Sequence, residues 1–232
     1  SMYSPFFWFL VCLFVVVSVA IIALSEYWKV QGYWKVAFFS MMCLNLLVIL
    51  LPLIRGYYMR NRGTGDVFAH LAWTQHILNT GTMTTHYPGS HILLASFQVA
   101  GISIDAMSLA LCAFFSIFYV LSLYMLGKLF QKGRWISLLP ILFAFPMIFQ
   151  DRHFQFQPYM FAIFAMPLFF YLLFRSENSG KKLSYSGLMI ILSFMMVYFH
   201  PLITLYLIIF ILGILITSVL FGNINTNLNL RQ

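Results

Sequence analysis

Long apolar runs separated by short polar breaks organise this chain, and each run of about 18 to 20 residues is long enough to cross a ~30 Å hydrocarbon core as a helix. The runs are Pro5 to Leu24, Val36 to Ile54, Ala106 to Gly127, Ile136 to Phe149, Pro158 to Phe174, Ser186 to Phe199 and Leu202 to Phe221. They predict an all-α polytopic membrane protein of about seven spans, forming a single transmembrane domain over residues 1–232. The fourth and sixth runs are short, so their ends are expected to take in flanking aromatic and small polar residues. The stretch His91 to Gly101 is apolar but about half the necessary length, and it reads as interfacial or re-entrant. The first run is too long and too hydrophobic for a cleaved signal peptide. It has no basic leading region, and no small-residue cleavage site appears at Ser25-Glu26-Tyr27, so it is expected to stay as a helix. Ser1 ahead of Met2 reads as a cloning remnant and is set aside.

The longest polar break, Arg55 to Ser90, contains one further helical pattern. Thr64 and Gly65 are helix-start material, and Asn79-Thr80-Gly81 is a stop signal, so a short surface helix is expected near residues 66–79. At 100° per residue, Asp66, His70, Trp73 and Ile77 share one face, while Val67, Phe68, Leu71 and Leu78 gather on the other. The second face is expected to dip into lipid. The i, i+4 spacing brings Asp66 within reach of His70, which would orient the imidazole or hold a metal between the two.

Charge sets the orientation. With seven spans, Lys29, Lys35, Lys128, Lys132, Arg134, Arg175, Lys181, Lys182 and Arg231 fall on one side, and Arg55, Arg60, Arg62 and Arg152 on the other. Nine against four makes the first side cytoplasmic. A true crossing by His91 to Gly101 would invert everything after it. The net charge of +8 is mostly this topology, with some attraction to anionic headgroups on the cytoplasmic leaflet. Nucleic-acid binding would need a basic patch on a soluble surface, which the pattern does not offer. The composition agrees with a membrane protein: 62% of residues are hydrophobic, and the 8% that are charged are too few for a soluble domain. Cys12, Cys43 and Cys112 lie inside apolar runs without metal-type spacing, and read as packing residues. No internal repeat or P-loop is evident, and the Asn-rich tail from Gly222 to Gln232 reads as a disordered end.

Against this background the polar residues are one-sided. All six histidines, His70, His76, His86, His91, His153 and His200, fall in the breaks assigned to the extracytoplasmic face. Asp151 and Arg152 join His153 in one break, and His200 marks the tip of a very short turn in another. Of the five acids, only Glu26 and Glu177 are assigned to the cytoplasm. Ionisable groups at membrane depth are costly unless they pair or line a wet cavity, so the clustering points to a shared pocket. Each residue also has a plainer reading. Asp66 suits the first turn of a helix as a cap, Asp105 beside Ser103 suits another, and any single histidine suits an interface.

The order of these features resembles the first extracytoplasmic loop of the polytopic GT-C glycosyltransferases. A span is followed by Gly65-Asp66, a short helix with His70, a stop at Gly81, the run Tyr87-Pro88-Gly89, a second apolar half-helix and the next span. The resemblance covers residues 36–221 as a helix order, with its recognisable motifs between Asp66 and Gly101. It implies two juxtamembrane helices, near 66–79 and 90–101, and a catalytic or metal-associated carboxylate at Asp66 with His70 beside it. It further implies transfer of a sugar from a polyprenyl-phosphate carrier to a glycan, protein or lipid acceptor, in the plasma membrane or the endoplasmic reticulum, with the active-site loops extracytoplasmic. Arg60, Arg62 and Arg152 would bind the donor phosphate, since guanidinium suits bidentate phosphate recognition. Tyr87, His91, Asp151, His153 and His200 complete the expected substrate-binding set. A divalent metal bridging Asp66, Asp151 and histidines is compatible with the resemblance, because some members use one and others do not. The chain differs from the family in having a lone Asp66 where paired acids are usual, in an additional leading span, and in stopping after about seven spans, as a truncated or minimal member would.

Two readings from other classes stand beside this one. An ion-coupled transporter would use His and Asp as a proton relay, although the histidines gather at one interface and no matching pair of broken helices appears. Pro140, Pro146 and Pro167, which interrupt two spans, keep it in play. A noncatalytic lipid-binding or assembly subunit would tolerate loss of Asp66.

Overall fold

The structure, a computed structural model, describes residues 4–30, 32–54, 65–83, 85–130, 156–177, 180 and 182–220. Among the described residues the chain is helical throughout, in the order α1 (Pro5–Tyr27), α2 (Tyr33–Ile54), α3 (Gly65–Thr80), α4 (Gly89–Val99), α5 (Ile104–Phe130), α6 (Pro158–Glu177), α7 (Lys182–Phe199) and α8 (Pro201–Leu220). Four helical stretches, Pro5–Tyr27, Ile104–Phe130, Pro158–Ser176 and Lys182–Phe199, are long and apolar enough to cross a membrane. Apolar stretches at Tyr33–Val48 and Pro201–Thr217 are shorter. The expected span Ile136–Phe149 and the tail from Gly222 lie outside the described residues. Large apolar side chains stand exposed along α1, α7 and α8, including Phe6, Phe9, Ile191, Phe194, Ile209 and Phe210, an extent of outward grease that fits lipid rather than water. The chain is an integral membrane protein by this pattern.

Local chemistry accounts for the helix ends. Pro5 occupies the first turn of α1, and the Ser4 hydroxyl accepts from Phe7 N–H at 3.2 Å. The turn into α2 uses left-handed backbone at Lys29 (φ +56°), and the Ser25 hydroxyl donates to the Val30 carbonyl at 2.8 Å. Gly81 (φ +68°) and Gly101 (φ +89°) end α3 and α4 in the conformation that glycine adopts most cheaply.

Helix α5 is central, packing against α2, α4 and α6. Trp34 and Phe38, near the start of α2, meet Tyr124 near the end of α5, so these two helices run antiparallel. Midway, the Asn45 amide donates to the Ser116 hydroxyl at 2.7 Å across the same contact. Helices α5 and α6 instead run parallel, as the successive ring pairs Phe115–Phe161, Tyr119–Phe164 and Phe130–Phe174 require. Helix α7 returns, bringing Phe199 against Phe115 and Phe161. The core of the bundle is therefore aromatic, with Phe156, Phe161, Phe164 and Met196 fully buried. Helices α3 and α4 pack on each other, and α4 also packs on α5 and α7, closing the end of the bundle where α5 and α6 begin. At 11 residues α4 is about 16 Å long, about half of a ~30 Å hydrocarbon core.

Candidate functional site

The α3–α4 layer positions the polar chemistry. Along α3, Val67, His70 and Thr74 are buried, which puts the protein-facing side of the helix at an i, i+3, i+7 spacing. The sequence expectation of a greasy face containing Val67 and Phe68 is thus split: Val67 is 1% exposed and faces protein, whereas Phe68 is 44% exposed. Thr74 answers its own burial by donating to the His70 carbonyl at 3.0 Å. Helix α4 begins at Pro88-Gly89 and directs Ser90, His91, Leu94 and Ala95 inward.

Here two histidines from different helices meet. His70 Nδ1 lies 3.0 Å from His91 Nε2, a buried hydrogen bond that holds α3 to α4. Trp73 packs edge-on to both rings, at 5.2 Å from His70 and 5.6 Å from His91. Phe156, just ahead of α6, closes the floor beneath the pair. Tyr87 stands next to His91 and meets His200, the residue between α7 and α8, at 4.9 Å with the rings tilted by 47°; the His200 ring also approaches Tyr159. Five elements thus converge on one aromatic and imidazole cluster.

The electrostatics follow from burial. Desolvation, and secondly the proximity of His200, lower the His70 pKa from 6.5 to about 4. His91 also falls to about 4, through desolvation and then the nearby His70, while the Tyr87 backbone pulls weakly the other way. Desolvation lowers His200 as well. All three rings are neutral at pH 7, so each imidazole there acts as both donor and acceptor rather than as a cation. The tautomer of each ring sets which one donates across the His70–His91 contact. His91 Nδ1, Ser90 Oγ and His200 Nδ1 are buried without a hydrogen-bond partner. Such groups are suited to ordered water or to polar ligand atoms.

The remaining expected residues are distributed as follows. Asp66 is in the first turn of α3, exposed, and no hydrogen bond joins it to His70, whose Nδ1 is taken by His91. The reason is rotational: His70 turns toward α4 with Val67 and Thr74, and Asp66 is left at the rim. Tyr87, His91 and His200 come together as described. Arg60, Arg62, Asp151, Arg152 and His153 lie outside the described residues. Among the described residues, no group of three or more His, Cys, Asp or Glu is placed to hold a metal ion. Asp105 does not cap its helix: the Ser103 hydroxyl accepts from Ala106 N–H at 3.2 Å and takes that role.

Sequence reasoning did not find the second feature of this end. On the side of α3 away from His70, a cleft of about 730 Å³ is lined by Phe68, Leu71, Ala72, Gln75, His76, Asn79, Gln98, Ile104 and Asp105. Its available signal was the recurrence of Gln75 and Asn79 one turn apart on an exposed face. Comparison with family models, curated proteins and solved structures gives no match to this chain.

Proposed function

We propose that this protein is a membrane glycosyltransferase of the GT-C kind, using a polyprenyl-phosphate-linked sugar at the bundle end formed by α3 and α4. The observation that carries the reading is the pair of juxtamembrane helices, Gly65–Thr80 and Gly89–Val99, inserted between two apolar helices with an exposed Asp66 at their head. In this reading the Asp66 carboxylate takes the proton of the acceptor hydroxyl as its oxygen attacks the sugar C1, and the polyprenyl phosphate leaves with the electrons of the broken C1–O bond. The neutral His70–His91–Tyr87–His200 cluster forms a rigid polar wall behind it. The seven-span topology belongs to the same proposal. Parallel α5 and α6 support it, because a parallel pair needs an odd number of crossings between them, as a span within 131–155 would supply.

The buried imidazole chain itself favours a second reading, a proton-coupled carrier. One experiment separates the two. In proteoliposomes supplied with labelled polyprenyl-phosphate sugar and a mixed acceptor pool, the wild type transfers label and Asp66→Asn loses at least a hundredfold in rate. Equal rates would remove Asp66 as the base. Absence of transfer by the wild type, together with uptake driven by a pH gradient, would favour the carrier.

A further inference from the structure

The cleft behind α3 has a lining whose chemistry is specific enough to name a ligand class. Three primary amides, Gln75, Asn79 and Gln98, surround it with one imidazole, His76, and one carboxylate, Asp105. Two of the amides are pre-set: Gln75 Nε2 donates to Asn79 Oδ1 at 3.0 Å, which leaves the remaining Gln75 carbonyl and Asn79 N–H₂ to face a ligand. His76 is held from the other side, with its Nε2 at 3.4 Å from the Thr82 hydroxyl and its carbonyl accepting from Thr80. Phe68, Leu71, Ala72 and Ile104 supply an apolar strip beside these groups. Among the described residues no lysine or arginine contributes to the lining, and the one carboxylate there, Asp105, disfavours a phosphate or carboxylate ligand. The volume, about 730 Å³, is within the range of roughly 300 to 1,000 Å³ usual for small-molecule sites.

We propose that this cleft binds a neutral carbohydrate. A sugar ring presents vicinal hydroxyls, each a donor and an acceptor, along its edge and a C–H surface on its face. Amides, an imidazole and one carboxylate match the edge, and the Phe68–Leu71–Ile104 strip matches the face. A peptide is the poorer fit, since no strand edge is present among the described residues to pair with an extended backbone. The cleft lies on the opposite side of α3 from His70, so it is separate from the imidazole cluster. The binding claim stands without the transferase reading. The role of acceptor subsite, which deepens that reading, rests on it.

The test uses the full chain in lipid nanodiscs without any donor. Saturation-transfer NMR is recorded with cellobiose, methyl α-mannoside and N-acetylglucosamine, and with a blocked tripeptide amide and putrescine as contrasting probes. The expected result is saturable transfer to at least one sugar that is unchanged in about 0.5 M salt, where the Debye length has fallen to roughly 4 Å. Binding should weaken at least tenfold in Gln75→Leu/Asn79→Leu, whose exposed positions leave the fold intact. Asp105→Asn should keep sugar binding within about threefold, because an amide still bonds hydroxyls. Ser193→Ala, on α7 and outside the lining, should leave it unaltered, and because no donor is present, failure of the transfer assay and failure of this one are distinguishable. The proposal is overturned if no sugar binds, if the double variant binds as the wild type does, or if only the peptide or putrescine binds.

Discussion

Gly89 is the residue on which the α4 end of the site turns. An added Cβ there would meet the Tyr198 carbonyl carbon, Cβ and oxygen at 3.0 Å, so backbone of α7 passes where any larger side chain would stand. Gly89→Ala is therefore expected to cost about 1–3 kcal/mol through overpacking, despite alanine's better helix propensity. A lowered thermal midpoint in detergent would register it, and an unchanged one would mean that α4 and α7 separate easily. His91 makes a second residue-scale case. His91→Leu removes the partner of a buried His70 Nδ1 and should cost about 1–3 kcal/mol, whereas His91→Asn, able to donate or accept, should recover part of that. The same pair predicts a pH response. Both rings fall from 6.5 unfolded to about 4 folded, so the stabilising contribution is complete above pH 6.5 and is lost as pH falls toward 4. Because the two rings are coupled, the loss belongs to the pair and is on the order of a few kcal/mol in all. Thermal midpoints measured from pH 7.5 to 4.5 should fall for the wild type and fall much less for a His70→Phe/His91→Phe double variant.

At the scale of elements, what hydropathy encodes was legible and what pairing decides was not. The ends of α1, α3 and α4 follow from Pro5, Gly81 and Gly101, local signals that act within one turn. The face of α3 did not follow, because the apolar side of a juxtamembrane helix is a question of which neighbour covers it. Here α4 brings His91, so the buried side of α3 carries His70 and Thr74 as well as Val67. The Asp66–His70 contact expected from i, i+4 spacing loses to that longer-range partner. Similarly, Tyr87-Pro88-Gly89 was visible as a turn, but its reason, close passage of Tyr198, depends on α7. Among the spans, the Asn45–Ser116 hydrogen bond joins α2 to α5 inside the apolar layer. Asn45→Ala should loosen that pair by about 0.6 to 1.7 kcal/mol, the range for polar contacts between membrane helices. Unfolding in mixed micelles, compared with Ser18→Ala as a control without an interhelical partner among the hydrogen bonds described, measures it.

Across the whole molecule the two ends of the bundle differ in kind. Among the described residues, Lys29, Lys35, Lys128, Arg175 and Lys182 all lie at the end where α2 and α7 begin, with Lys128 over the Tyr124 ring at 5.6 Å. The described histidines, His70, His76, His86, His91 and His200, lie at the other. The charge asymmetry read along the chain is thus a spatial one among the described residues, and the positive-inside rule is what supports the proposed extracytoplasmic placing of the histidine end. In intact cells a Thr82→Cys variant should react with a membrane-impermeant maleimide, and Lys182→Cys only after permeabilisation; the reverse pattern would invert the proposed orientation. The α3–α4 end holds Asp66, the imidazole cluster and the cleft together, so what binds there decides the proposed function. The most direct measurement is an electron cryo-microscopy structure of the protein in nanodiscs with a polyprenyl-phosphate sugar. Headgroup density is expected beside Asp66 at the α3–α4 end, with the lipid tail running down between apolar helices. Density at the lysine-rich end, or none at either end under saturating lipid, would contradict it.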